Sequence, residues 1–155
     1  MTPPPSPPGT DAAIASVEGE LSTLLNRVRA AMRSYAEQLH PDLTPLGYKI
    51  LSTLERRGPL SSGALAELLE TDKSSLSRQI TALDRFGFLE RAPDPGDGRV
   101  TILAVGEETA ARLVEIRSSN QALMHEELRR WELDDVERFA GLLHRINALD
   151  FGGGV

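Results

Sequence analysis

The sequence predicts a mainly α fold with one small β-hairpin, an α+β arrangement in which a compact central unit is flanked by long helices. Three observations predict it. Apolar residues recur at helical spacing over most of the chain. Between Ser61 and Phe86, two short amphipathic helices are separated only by a tight turn, and the second opens with small polar side chains. From Phe88 to Val105 the pattern changes to an aromatic strand start, a Pro/Gly/Asp loop and a β-branched run.

The chain has 155 residues, enough for one domain with a sizeable core or a compact module with extensions. Hydrophobic residues make up 40% and charged residues 26%, the balance of a soluble globular protein. There is no cysteine, which excludes disulfides, thiolate zinc sites and thiol redox switches in this chain. No run is apolar enough to span a membrane, and the N-terminus lacks the pattern of a secretory signal, so a cytoplasmic location is expected. The formal charge is -6. That argues against a wholly basic nucleic-acid coat and leaves room for a local basic face.

Residues 1–11 begin MTPPPSPPGT and read as a disordered, Pro-rich tail. Residues 12–40 then form a long helix. Ile14, Val17, Leu21, Leu24, Val28, Ala31 and Tyr35 step by three and four and share one stripe. Such a stripe suits a helix packed on its own core or one that also pairs with a second subunit. The helix's length favours the second. Pro41 ends it. Thr44 caps the next helix, Pro45 takes its first position, and Gly58-Pro59 closes it. Leu46, Ile50, Leu51 and Leu54 form its apolar face.

Ser61 or Ser62 caps a third helix, whose apolar side is Leu65, Ala66, Leu68 and Leu69. A turn at Glu70-Thr71 leads to Asp72, a good N-cap for the fourth helix. That helix turns Leu76, Ile80 and Leu83 inward. Lys73, Ser74, Ser77, Arg78 and Thr81 are left off the core face, with Ser75 beside them. Short hydroxyls allow close approach, and arginine can grip guanine or a phosphate with two donors. The same types suit an ordinary solvated face. The hairpin behind the helix tips the balance toward a DNA groove. Gly87 stops the helix, Phe88-Leu89-Glu90-Arg91 starts a strand, and Asp94-Pro95-Gly96-Asp97-Gly98 is a dense turn. Arg99 stands at the loop tip, where it can enter a narrow minor groove, and Asp97 can orient it or tie the loop to the body. Val100 to Val105 return as the second strand. Residues 42–105 therefore form the DNA-binding unit, residues 106–150 two further helices, and residues 151–155 a flexible end. Asp134 is a plausible cap for the last helix, which lines up Val136, Phe139, Ala140, Leu143, Ile146 and Leu149.

In this order the elements resemble the MarR family of bacterial winged helix-turn-helix transcription regulators. The resemblance runs from about Glu20 to Leu149. It is most specific in LAELLETDKSSLSRQITALDRFGFLERAPDPGDGR, with Leu89-Glu90-Arg91 and an Asp97-Gly98-Arg99 wing. It implies a winged helix-turn-helix domain flanked by long dimerisation helices, a homodimer whose first and last helices interlock, and double-stranded DNA as partner. It assigns DNA contacts to Lys73, Ser74, Ser75, Ser77, Arg78 and Arg99, with Asp97 stabilising the wing. It also implies release of DNA by a small aromatic or phenolic effector, bound near Tyr35, Leu39, His40, Leu46, Tyr48 and Ile50. These six are equally explicable as core. Glu70 and Gly106 stand where the family often has glycine and threonine.

The expected function is therefore a dimeric DNA-binding regulator, most simply a repressor, on a near-palindromic operator. The alternative is a winged-helix protein-interaction module without DNA binding, motivated by the acidic balance. An enzyme is not expected. His40, His125 and His144 are scattered, no spacing among them makes a helical metal pair, and no nucleophile elbow or phosphate loop is present. No cofactor or metal is implied.

Overall fold

The computed structural model describes residues 9–149. The expected tails fall almost entirely outside that range, though Thr10 and Asp11 already belong to the first helix. In chain order the elements are α1 (Thr10–Leu39), α2 (Pro45–Arg57), β1 (Leu60–Ser61), α3 (Ser62–Leu69), α4 (Lys73–Arg85), β2 (Leu89–Pro93), β3 (Thr101–Val105), α5 (Glu107–Leu128) and α6 (Leu133–Asn147). They form two compact units, divided within α5 between Leu113 and Val114.

The helices of the first unit begin and end for local reasons. Thr44 accepts the Gly47 amide at 3.0 Å, with Pro45 at the first helical position of α2. Ser61, not Ser62, caps α3 by accepting from Ala64 at 3.2 Å. Asp72 caps α4 by accepting from Ser75 at 2.8 Å. Each side chain satisfies one of the amides a helix start leaves open. Helix α4 ends with Gly87 at φ 73, where the Gly87 amide reaches Asp84 O at 3.0 Å and the Phe88 amide reaches Leu83 O at 3.1 Å. Helix α3 ends in the same paired-bond pattern, with the Thr71 amide bonded to Ala66 O and the Glu70 amide to Glu67 O. There the left-handed position belongs to Glu70, at φ 50, ψ 45. A side chain therefore sits where glycine is unstrained.

The core of this unit lies between α2, α3, α4 and the sheet. Ile50, Leu51, Leu65, Leu76, Leu83 and Leu103 are fully buried in it. Leu68 departs from the expected apolar side of α3 and is exposed, because an eight-residue helix turns only one narrow face inward. The sheet has three antiparallel strands in the order β1-β3-β2. Its register sets Leu60 opposite Leu103 and Arg91 opposite Leu103 from the other side. The expected hairpin is thus the larger part of a sheet whose third strand is only two residues long.

In α1, Ile14, Val17, Leu24 and Leu25 are 50–56% exposed. Only Ala36 and Leu39, at its C-terminal end, are buried. In the second unit, no described residue of α6 is buried. Trp131 and Phe139 meet edge to face at 5.7 Å. Asp134 does not cap α6: Glu132 holds the cap position with no side-chain bond, and Asp134 lies inside the first turn. No helix among the described residues is long and apolar enough to cross a membrane.

Candidate nucleic-acid interface

Helix α4 buries Leu76, Ile80 and Leu83, a spacing of four and three that fixes its rotation about its own axis. The opposite face carries Lys73, Ser74, Ser77, Arg78 and Thr81, all exposed, with Ser75 half-buried beside them. The residues expected to face DNA therefore share one surface.

Arg78 does not extend freely from that surface. Its guanidinium donates back along the helix to Ser74 Oγ at 3.2 Å and Ser75 Oγ at 3.0 Å. The two serines hold the charge over the first turn of α4. Asp72 lies at the same helix start, and its carboxyl is held below the usual carboxylate range. The main cause is the Ser75 backbone amide, with smaller contributions from the Ser75 and Ser74 hydroxyls and the positive charge of Arg78. The carboxylate thereby takes one of the amides that would otherwise face an incoming phosphate.

The wing is shaped by its own aspartates. Asp94 Oδ1 accepts the Gly96 amide at 2.7 Å and the Asp97 amide at 2.9 Å. Asp97 Oδ1 accepts the Arg99 backbone amide at 3.0 Å. Backbone bonds from Asp94 N to Val100 O and from Val100 N to Asp97 O close the loop. Asp97 thus acts on the backbone of Arg99 and leaves its guanidinium exposed at the loop tip. Asp94 is the larger organiser. Sequence reading did not single it out, although an aspartate before Pro-Gly is a turn signature.

Two other contributors were missed. Arg91 and Asp84 form a two-point ion pair, one arm of which runs from Arg91 Nε to Asp84 Oδ1 at 3.2 Å. The pair joins the first strand of the wing to the last turn of α4, so the wing and the helix are held in one frame. Thr81 and Arg91 also share the walls of a cleft of about 360 Å³ with Lys73 and Ser77. The pair is seven residues apart across a helix end, a spacing that carries no periodic signal.

The residues expected around an effector are split by the structure. Leu46 and Tyr48 line a cavity of about 550 Å³ between α1 and α2. Tyr35 packs its ring against Tyr48 at 5.7 Å. Leu39 and Ile50 are buried core, and His40 stacks on Phe86. Val28, Met32 and Pro45 complete the apolar lining, and Arg29, Arg33, Lys49 and Arg56 add four cations. Among the described residues, no acid lines this cavity. Among the described residues no group of three or more His, Asp or Glu could hold a metal ion.

The model of the MarR family matches residues 43–101. The helix-turn-helix transcriptional regulator YxaD of Bacillus subtilis is 31% identical over 132 residues, covering 84% of this chain and 90% of that protein. The structure of YusO from Bacillus subtilis aligns over 90% of this chain and 98% of its own, with a TM-score of 0.68 at 19% identity. That of apo MarR from E. coli aligns over 83% and 94%, with a TM-score of 0.63 at 24% identity.

Proposed function

This chain belongs to the MarR family and is a DNA-binding transcription regulator, and we propose that it is a repressor acting in the cytoplasm as a homodimer on a near-palindromic operator. One observation carries the reading: the exposed face of α4 and the Arg99 wing tip are held in a single frame by the Asp84–Arg91 pair. A helix aimed at a major groove and a cation aimed at the neighbouring backbone or minor groove make one half-site reader. The exposed apolar stripe of α1, the exposed Phe139 and Leu142 of α6 and the exposed Leu149 beyond its end support pairing, because a monomer rarely leaves so many large apolar side chains in water. Two symmetric readers set two half-sites about one helical turn apart. Occupancy of that stretch excludes polymerase, which makes repression the simplest outcome.

The cavity between α1 and α2 suits the effector. Its apolar walls and Tyr48 accept a flat ring, and the four cations around it favour an acidic or phenolic group. The decisive experiment is fluorescence anisotropy with the duplex immediately upstream of the protein's own gene, against a scrambled duplex, at two salt concentrations. Preference for the native duplex with two protomers bound, weakening steeply with salt, is the expected result. No binding to either duplex at low salt would instead favour a protein-interaction module.

A further inference from the structure

Two side-chain contacts tie the corner between α1 and α2 to the recognition helix. The Thr44 hydroxyl that caps α2 also donates to Gln79 Oε1 of α4 at 2.6 Å. His40, which closes α1, stacks on Phe86 at the end of α4, with ring centroids 4.1 Å apart and planes 29° from parallel. Phe88, at the start of the wing, meets the His40 ring edge-on at 6.1 Å. The imidazole is oriented in turn by the Asp42 amide, which donates to Nδ1 at 3.1 Å. Gln79 and Phe86 lie about two helical turns apart, so two attachments along one rod fix its tilt as well as its position.

The corner has no slack. A Cβ placed on Gly47 would lie 2.7 Å from Leu43 Cδ1 and 3.3 Å from both Gln79 Oε1 and Thr44 Oγ1. The cavity between α1 and α2 lies next to this corner, with Pro45 and Leu46 of the first turn of α2 in its wall. Close-packed groups pass a displacement on rather than absorb it. We propose that Thr44 and His40 are positioning residues that couple this cavity to DNA recognition: when an occupant shifts α2 against α1, the Thr44–Gln79 bond and the His40–Phe86 stack carry the shift to α4. The inference rests on the effector reading of the cavity for its natural occupant, but the test supplies an occupant of its own.

The chain has no cysteine, so Ser52→Cys, on the cavity wall, provides a single thiol. Benzyl methanethiosulfonate places an aromatic group there: the thiolate attacks the sulfenyl sulfur, a mixed disulfide forms and methanesulfinate leaves. Mass spectrometry confirms the label, and amide hydrogen exchange of the full chain is the readout. Exchange across α4 should accelerate by about fivefold or more, the scale of a 1 kcal/mol coupling. The same label on Ser118→Cys, exposed on α5, should leave α4 unchanged. With Gln79→Met and His40→Leu added, the α4 response should vanish while the response of α1 and α2 around the label persists. Gln79→Met alone, which keeps the Thr44 cap on α2, should give a partial loss if the double variant folds poorly. A thiol that does not react, an α4 unaffected by the label, or the same acceleration with both contacts removed would each overturn the proposal. No DNA enters the experiment, so failure to find an operator would leave this result standing.

Discussion

Replacing Arg99 by alanine isolates the wing contact. The loop that carries Arg99 is held by the Asp94 and Asp97 carboxylates and by backbone bonds, none of which uses the guanidinium. The substitution should therefore change folding stability by less than about 0.5 kcal/mol, as surface changes do. On DNA the effect is larger. A hydrogen bond to a charged group contributes about 1.5 kcal/mol, and a homodimer makes the contact twice. The sum is about 3 kcal/mol, roughly a hundredfold in Kd. Two lost phosphate neutralisations should also flatten the plot of log affinity against log salt by about 1.8. Arg99→Lys keeps the charge but not the planar fork, so it should restore the slope and only part of the affinity. Anisotropy titrations of the operator duplex from about 50 to 200 mM salt give both quantities. A stable Arg99→Ala protein with unchanged affinity and slope would refute the wing contact. An unchanged slope with weakened binding would place Arg99 on a base edge or in a turn of the loop rather than on phosphate.

Three further outcomes follow from local geometry. Asp72 titrates below its ordinary value in the folded chain, so its contribution to stability is complete above that ordinary value and is lost as pH falls through the lowered one; urea unfolding below about pH 4 should show Asp72→Asn, an equally good cap, with a flatter acid limb than the parent. The Asp84 and Arg91 side chains are 32% and 48% exposed, so Arg91→Ala should cost under about 1 kcal/mol in unfolding experiments, yet weaken operator binding by more than that in anisotropy because the wing loses its tie to α4; equal losses in both assays would make the pair merely structural. Glu70→Gly relieves the left-handed backbone at φ 50 and should stabilise by about 1 kcal/mol, a rise of about 2–4 °C in Tm by calorimetry, whereas a lower Tm would mean that the Glu70 side chain stabilises the turn.

What could be read from the sequence was what is decided within a few residues. Thr44, Ser61 and Asp72 are caps because a short oxygen side chain reaches an amide three positions on, whatever the rest of the chain does. The exposed face of α4 followed from Leu76, Ile80 and Leu83 alone. The return of Arg78 to Ser74 and Ser75 is also local, at spacings of four and three. Long-range features left no such trace. Strand β1 has two residues, too few for an alternating pattern, and exists because Leu60 and Ser61 find Leu103 and Ile102. Thr44 and Gln79 are 35 positions apart. Leu39 and Ile50 look like pocket or core in one dimension, and only packing turns them into the core. Asp134 misled because a good capping residue two positions inside a helix has the same composition as one at its start.

The acidic balance of the chain becomes less of an obstacle once the acids are located. Between Ser61 and Val100, Glu67, Glu70, Asp72, Asp84, Glu90, Asp94 and Asp97 outnumber Lys73, Arg78, Arg85, Arg91 and Arg99. Four of these acids have structural partners: Asp84 holds Arg91, and Asp72, Asp94 and Asp97 accept backbone amides that shape α4 and the wing. They are the means by which the cations are aimed. Their charge nevertheless persists within about a Debye length of Lys73, Arg78 and Arg99, and it repels phosphates of every sequence alike. Non-specific binding is almost wholly phosphate attraction, whereas an operator adds base contacts that this repulsion does not touch. An acidic reader should therefore lose the same factor of affinity on operator and non-operator DNA, so its overall strength falls while its discrimination, set by the base contacts, is unchanged. The carboxylates that fold the site thus weaken binding to all DNA alike, and discrimination is left to the base contacts that the cations and hydroxyls of α4 make.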